Sequence, residues 1–582
     1  MKKYILILTI AVAGLLVSCG DDFLALTPPG NIVAGGAVTR DIVDRNITSV
    51  YQILLFDDYA GGQWMPVNMF FDVMSDNFLS AGGGAGDQPH MYRSGRFETS
   101  STQSAVTGWW SIYYSGLRRA NEALHGLNSV RDNVPEAWFA ERRAEVLTLR
   151  AWYTSLLWKA YGNIPYFTEP WSNPPFAARQ HTRNEMYLLI LEDLNAAINT
   201  PSSDFPMARA RNGVDRGRVH KSMAMMVRAR VILHMQDETR YAQILDDMKL
   251  IIAQPEFDLV TSIPNGATQF TGHQPNSNGI PRPTAATNHF EWIFLGQDPV
   301  VGMTGGGEFS TESVFEVASN TNQGKTWGDS WRGSGNYTPR FTSFRDNNNM
   351  AISNGRGNPG DANFVPAFDQ RFVFGWGFMT VRPDAYAIFD ANDLRRDVSV
   401  INFGQAPEYS WAGYQNTGLF NGKYAARRGN NVGTGGDRDL NWTNNRRIFR
   451  IAEAYLNLAE LYARAGNTGA AQPYLDAVRS RAGLTSVPAT FNAVKLERRK
   501  EFFGEGLRFW ELLRWGSDEN DRPLSTVFQS VSFPAGANGN PNVVSQDRFW
   551  TEYNRLLPIP NSNILQAADT PFPLEQNPGF ID

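Results

Sequence analysis

Cysteine is almost missing from this chain, with one in 582 residues. That excludes an intramolecular disulfide and any metal site built from several thiolates. Positive charge is also not in excess. Lys and Arg number 53 against 58 Asp and Glu, a formal charge of −5, so nothing would neutralise a phosphate backbone and a nucleic-acid partner is excluded. Past Val17 no apolar run approaches the length a membrane-spanning helix needs. No HExxH, CxxC, G-x-S-x-G or EF-hand loop occurs. Gly324-Lys325-Thr326 imitates the end of a P-loop, but Ser319 stands where the motif requires Gly. The His residues are scattered, with no pair at i, i+4, and neither a metal nor a cofactor is expected. What is present is apolar and aromatic: 42% hydrophobic and 12% Phe, Trp and Tyr. Disorder of the whole chain is thereby excluded. The 52 Gly and 32 Pro imply long irregular stretches between regular elements.

The lone cysteine stands at an informative position. Met1-Lys2-Lys3 precedes an apolar run from Tyr4 to Val17, then Ser18-Cys19-Gly20, the plan of a secretory signal peptide over residues 1–18. Leu16-Val17-Ser18-Cys19 resembles a bacterial lipobox, which implies lipidation at Cys19 and a membrane anchor. The alternative is an ordinary signal peptide that happens to end in Cys. Residues 19–36, with Thr27-Pro28-Pro29-Gly30, form an extended tether.

Helical patterning dominates from about 37 to 256. Its clearest member is Ala144–Tyr161, where Leu147, Ala151, Thr154, Leu157, Trp158 and Tyr161 recur at helical spacing before Gly162-Asn163-Ile164-Pro165 stops the run. From about 257 to 445 Gly, Asn, Pro and Trp prevail, with short strand-like runs such as Ser313–Val317; so long a segment cannot be a structureless loop in a compact domain. Helical patterning returns over 446–516, and an irregular tail covers 517–582. Tyr455, Leu458, Ala459, Tyr462, Ala471, Leu475 and Val478 fit tetratricopeptide spacing, in which two antiparallel helices approach through small residues. Such a unit cannot bury its own apolar face, so several must stack. The fold class is mainly α: an array of tetratricopeptide-like helix pairs with an inserted, irregular, loop-rich subdomain containing short strands.

Several segments in order resemble the SusD/RagB family. They are Cys19-Gly20-Asp21-Asp22-Phe23-Leu24, Trp110-Ser111-Ile112-Tyr113 with Arg119-Ala120-Asn121, Ala144-Glu145 through Arg150-Ala151 with Tyr161–Pro165, Arg450-Ile451-Ala452-Glu453-Ala454-Tyr455-Leu456, and above all Leu496-Glu497-Arg498-Arg499-Lys500-Glu501-Phe502-Phe503-Gly504-Glu505-Gly506-Leu507-Arg508-Phe509-Trp510. Leu557-Pro558-Ile559-Pro560 and Gln576–Phe580 complete the set. The resemblance implies one mature domain over 37–582 with about four helix pairs. It further implies a surface-exposed, lipid-anchored outer-membrane protein without catalytic activity, which binds glycan and delivers it to a SusC-like TonB-dependent transporter. The family's ligand residues lie in its least regular part, so none can be matched here position by position.

Sugar rings are met by exposed aromatic faces, with amides, carboxylates and guanidiniums along the hydroxyl rim. Trp64, Trp292, Trp327, Trp331, Trp376, Trp411 and Trp442 lie outside the clear helices; the competing role for each is subdomain core. Two clusters join aromatics to polar groups: Asp76 and Asn77 with Tyr92 and Arg93, linked by the loop Gly82-Gly83-Gly84-Ala85-Gly86, and Trp327, Asp329, Trp331 and Arg332 with Asn336 and Tyr337. These ten residues are the candidate ligand contacts. The alternatives are a surface glycoside hydrolase, needing two carboxylates about 5–10 Å apart, a capture subunit for peptide or another nutrient, and a scaffold that docks only protein. The mixed charges of Glu497–Glu501 suggest a salt-bridged helix start.

Overall fold

The computed structural model describes residues 38–56, 67–170, 177–264, 288–296, 306–319, 324–326, 335–345, 372–406, 409–427 and 437–580. Cys19, Trp64, Trp327, Asp329, Trp331 and Arg332 lie outside them.

The first helical block comprises α1 (Arg40–Gln52), α2 (Val67–Met74), the short α3 (Pro89–Gly95), α4 (Ser104–Val130), α5 (Glu136–Tyr161), α6 (Arg183–Asn199), α7 (Lys221–Met235) and α8 (Tyr241–Ile252). From α4 to α8 each helix packs on the next, and α1 lies on α4. Local chemistry sets the ends. Thr182 and Glu185 make a reciprocal capping box at the start of α6, supplying partners to backbone N–H groups that have none inside the helix. Gly162 ends α5 at φ +71°, a left-handed conformation that favours glycine.

The returning block is α9 (Ile451–Arg464), α10 (Thr468–Arg481), α11 (Phe491–Glu501) and α12 (Arg508–Trp515). Helix α8 packs against α9, so the array is continuous in space across nearly two hundred residues of intervening sequence. Leu458, Ala459, Ala471, Leu475 and Val478 are buried between α9 and α10, the small-and-large pattern of a tetratricopeptide pair. Tyr455 and Tyr462 are only half-buried and sit at the rim, both beside Tyr474, with the Tyr462 ring stacked on it at 6.1 Å.

The intervening segment forms short strands that reach back into the helical blocks. β1 (Phe78–Ser80) follows α2 and pairs antiparallel with β3 (Met379–Val381), Phe78 opposite Val381 and Ser80 opposite Met379. β5 (Leu419–Asn421) joins β3 to β4 (Val400–Asn402), giving the order β1-β3-β5-β4. β2 (Ser313–Val317) pairs with β6 (Arg446–Arg450), which runs directly into α9. Among the described residues no helix is long and apolar enough to cross a membrane.

Candidate functional site

β1 delivers the chain into the loop Gly82–Asp87, and the β1–β3 pairing sets that loop beside Phe378 and Arg345. Gly82, at φ +134°, exchanges backbone hydrogen bonds with Tyr414: its N–H donates at 3.3 Å and its carbonyl accepts at 2.7 Å. Asp87 accepts from the Gly83 N–H at 2.7 Å and from the Arg345 guanidinium at 2.8 Å, while the same Arg345 nitrogen donates to the Trp376 carbonyl at 3.0 Å. Tyr92, on α3, meets Tyr414 edge to face at 5.9 Å, and the Arg96 guanidinium lies 5.0 Å from its ring centroid. Tyr92, Arg345, Trp376 and Tyr414 are half-buried; Asp87 and Arg93 are exposed. The result is a surface of three aromatic rings and two guanidiniums around a glycine-rich loop. Such an arrangement offers flat C–H-binding faces beside hydroxyl-binding groups, which is the chemistry of carbohydrate recognition.

At the other end of β1, where the strand leaves α2, lies a buried ion network. Arg508 donates to both oxygens of Asp76 at 2.8 and 2.9 Å and to Glu519 at 2.7 Å; Arg499 donates to the Asn77 amide oxygen at 2.8 Å and to Glu519 at 2.6 Å. Burial alone would raise the Asp76 carboxyl, but the adjoining Arg499 and Arg508 guanidiniums hold it well below the usual carboxylate range. Asp76 and Asn77 are therefore corrected from ligand contacts to supports, since both are buried, with the Asp76 carboxylate and the Asn77 amide oxygen held by arginines. Asn336 and Tyr337 are corrected likewise. Asn336 trades backbone hydrogen bonds with Trp442 and donates from its amide to the Asn444 carbonyl at 3.0 Å. Tyr337 is fully buried, its ring 6.4 Å from that of Trp376. Of the candidate contacts among the described residues, Tyr92 and Arg93 remain at the surface. Trp292 and Trp442 are core, whereas Trp376 and Trp411 are partly exposed.

Asp87, Arg345 and Tyr414 were not anticipated. No local motif marks them, because Asp87 lies 258 residues from Arg345 and farther still from Tyr414, and the segments meet through the β1–β3–β5 sheet. Among the described residues, no cluster of His, Cys, Asp and Glu could hold a metal ion.

An array of helix pairs carrying a loop-built aromatic and guanidinium surface defines a helical-repeat binding protein. Comparisons with known proteins sharpen the class. Residues 309–580 match the SusD family, and residues 22–210 match the family described as starch-binding and associating with the outer membrane. A surface glycan-binding protein A from Bacteroides fluxus is 34% identical, with a TM-score of 0.74 over 93% of this chain and 100% of its own. Its counterpart from Bacteroides thetaiotaomicron, solved with laminarihexaose, is 28% identical, with a TM-score of 0.72 over 92% of this chain and 99% of its own. A SusD-like protein of Formosa agariphila is 24% identical over 502 residues, 83% of this chain and 80% of that protein. The chain belongs to the SusD/RagB family.

Proposed function

We propose that this protein is a non-catalytic, surface-exposed glycan-binding subunit. It takes up oligosaccharide of the laminarin kind on the face formed by Tyr92, Arg93, Asp87, Arg345, Trp376 and Tyr414. Its lipidated Cys19 holds it on the outer membrane, and it hands the captured nutrient to a SusC-like TonB-dependent transporter. The observation that carries this reading is the convergence of half-exposed rings with Arg345 and Asp87 around the glycine loop. The laminarihexaose complex of a relative 28% identical supports the choice of ligand. Asp87 is already committed to Arg345 and to the Gly83 N–H, which favours binding over acid–base hydrolysis.

Calorimetric titration with laminarihexaose tests the reading. Wild-type protein should bind, and Tyr414→Ala or Trp376→Ala should weaken affinity about tenfold to thirtyfold, the loss typical of an aromatic anchor. Unchanged affinity in both variants would overturn the site. Absence of binding to every glycan on an array would overturn the function, and steady release of reducing sugar would establish the hydrolase instead.

A further inference from the structure

Between α5, α7 and α12, two adjoining cavities of about 110 and about 40 Å³ share Lys159, Arg230, Leu507 and Trp510 in their walls. The larger is otherwise walled by rings, including Phe71, Trp109 and Trp152, by aliphatic side chains, and by Arg446, Arg447 and Glu505; Arg447 has Glu316 as its ion-pair partner and Glu505 is held by Arg450 and Lys423. The smaller is rich in cations, and nearly all of them are matched. Arg230 pairs with Glu453 at 2.7 Å, Arg498 with Glu511 at 2.6 Å and Arg514 with Glu460 at 2.6 Å.

Lys159 is the exception. It is 7% exposed, and among the described residues its ammonium has no hydrogen-bond acceptor and no carboxylate within ion-pair distance. Its contacts are the faces of Trp510 at 5.0 Å and Trp152 at 5.9 Å. His234, on the wall of the smaller cavity, likewise leaves its buried Nδ1 without a partner. A cation enclosed without an opposite charge is strongly disfavoured, and two routes relieve it. The amine can lose its proton, for which burial and the charge of Arg230 have already brought its pKa down to about 7. Alternatively, an anion can enter. Ring walls beside an ammonium that has no carboxylate of its own suit an anion with a short apolar body better than they suit water or an inorganic ion.

We propose that this junction is a binding site for a small monocarboxylate, its carboxylate on the Lys159 ammonium and its apolar end between Trp152 and Trp510. Propionate is the probe, with propionamide as its uncharged counterpart. Titrated into the purified protein at constant ionic strength, propionate should give a saturable isotherm, while propionamide gives none. Lys159→Met should weaken propionate at least tenfold without affecting laminarihexaose, which separates this proposal from that of the surface site. Should the variant fail to fold, wild-type crystals soaked in 3-bromopropionate answer independently. Anomalous bromine density in the cavity, with the carboxylate in hydrogen-bond reach of Lys159 Nζ, supports the site. Water alone in the cavity, an isotherm equalled by chloride or propionamide, or unaltered propionate binding by a folded Lys159→Met protein would each overturn it.

Discussion

Asp72 shows how one residue in this molecule responds to pH. It sits on α2 next to the signature segment, accepts a hydrogen bond from the Gly506 N–H at 3.0 Å, and leaves its second oxygen buried without a partner. Burial pushes its pKa up to about 8, the nearby Glu505 adding to the effect. An aspartate in the unfolded chain titrates near 4. Between about pH 4 and 8 the folded state therefore holds the extra proton. The contribution of Asp72 to stability is full below about pH 4 and is lost as pH rises through 8, with a slope of up to about 1.4 kcal/mol per pH unit. Glu460 behaves oppositely: burial raises its carboxyl, but Arg514 and Arg498 outweigh that and hold it at about 2. Its stabilisation is present above the unfolded value near 4.3 and is lost as pH falls toward 2. Asp72→Asn keeps the size and removes the charge. It should flatten the fall in denaturant-measured stability between pH 6 and 8 relative to wild type, by about 1 kcal/mol or more across that interval. An unaltered pH profile would show that Asp72 is ionised in the folded protein.

Helices make contact here through small residues as much as large ones. Gly116, in α4, faces Tyr153 of α5, and a Cβ built at Gly116 would lie 2.5 Å from the Tyr153 ring. That ring is fixed, because its hydroxyl donates to the Val50 carbonyl at 2.8 Å. Gly116→Ala must therefore spread α4 from α5, at about 1–3 kcal/mol, the range for overpacking a close-packed core. A melting temperature at or above that of wild type would mean the contact yields without strain. This level of organisation was the most legible in sequence. The α5 periodicity, its Gly162 stop and the α9–α10 register were all readable, because helical period and turn chemistry are local properties. Glu497–Glu501 were half readable for the same reason. Their mixed charges are salt-bridged, but the segment closes α11 instead of starting it, and Glu497, Arg498, Arg499, Lys500 and Glu501 are all buried. Their partners Asn77, Asp390, Arg395, Arg450 and Glu511 are mostly remote in sequence. The candidate site was half legible. Tyr92 and Arg93 stood out beside their glycine loop, but Arg345 and Tyr414 acquire meaning only when strand pairing brings them there.

At the scale of the whole molecule, the inserted segment and the helical array are held by shared buried charge. Arg450, at the β6–α9 junction, donates to Glu312 beside β2 at 2.9 Å, to Glu501 of α11 at 2.7 Å and to Glu505 at 2.8 Å. Lys423, from the segment after β5, reaches the same Glu505 at 2.7 Å, and Arg395 reaches Glu501 at 3.1 Å. Glu501 also pairs with Arg481 of α10, so the carboxylates of the C-terminal helices are shared between cations of the helical block and cations of the insertion. β1, a strand contributed by the helical block to a sheet otherwise built from the insertion, adds a second tie. Such coupling calls for one cooperative unfolding event, in which helix loss and exposure of the buried tryptophans coincide. Arg450→Met tests the coupling where it is densest. Removing one partner of a buried network leaves Glu312, Glu501 and Glu505 short of charge and should cost about 3–5 kcal/mol. The far-ultraviolet circular dichroism and tryptophan fluorescence midpoints in denaturant should fall together. If the fluorescence transition alone moves, or two transitions are already present in wild type, the insertion folds as a separate unit and the charge shared through Arg450 does not unite the molecule.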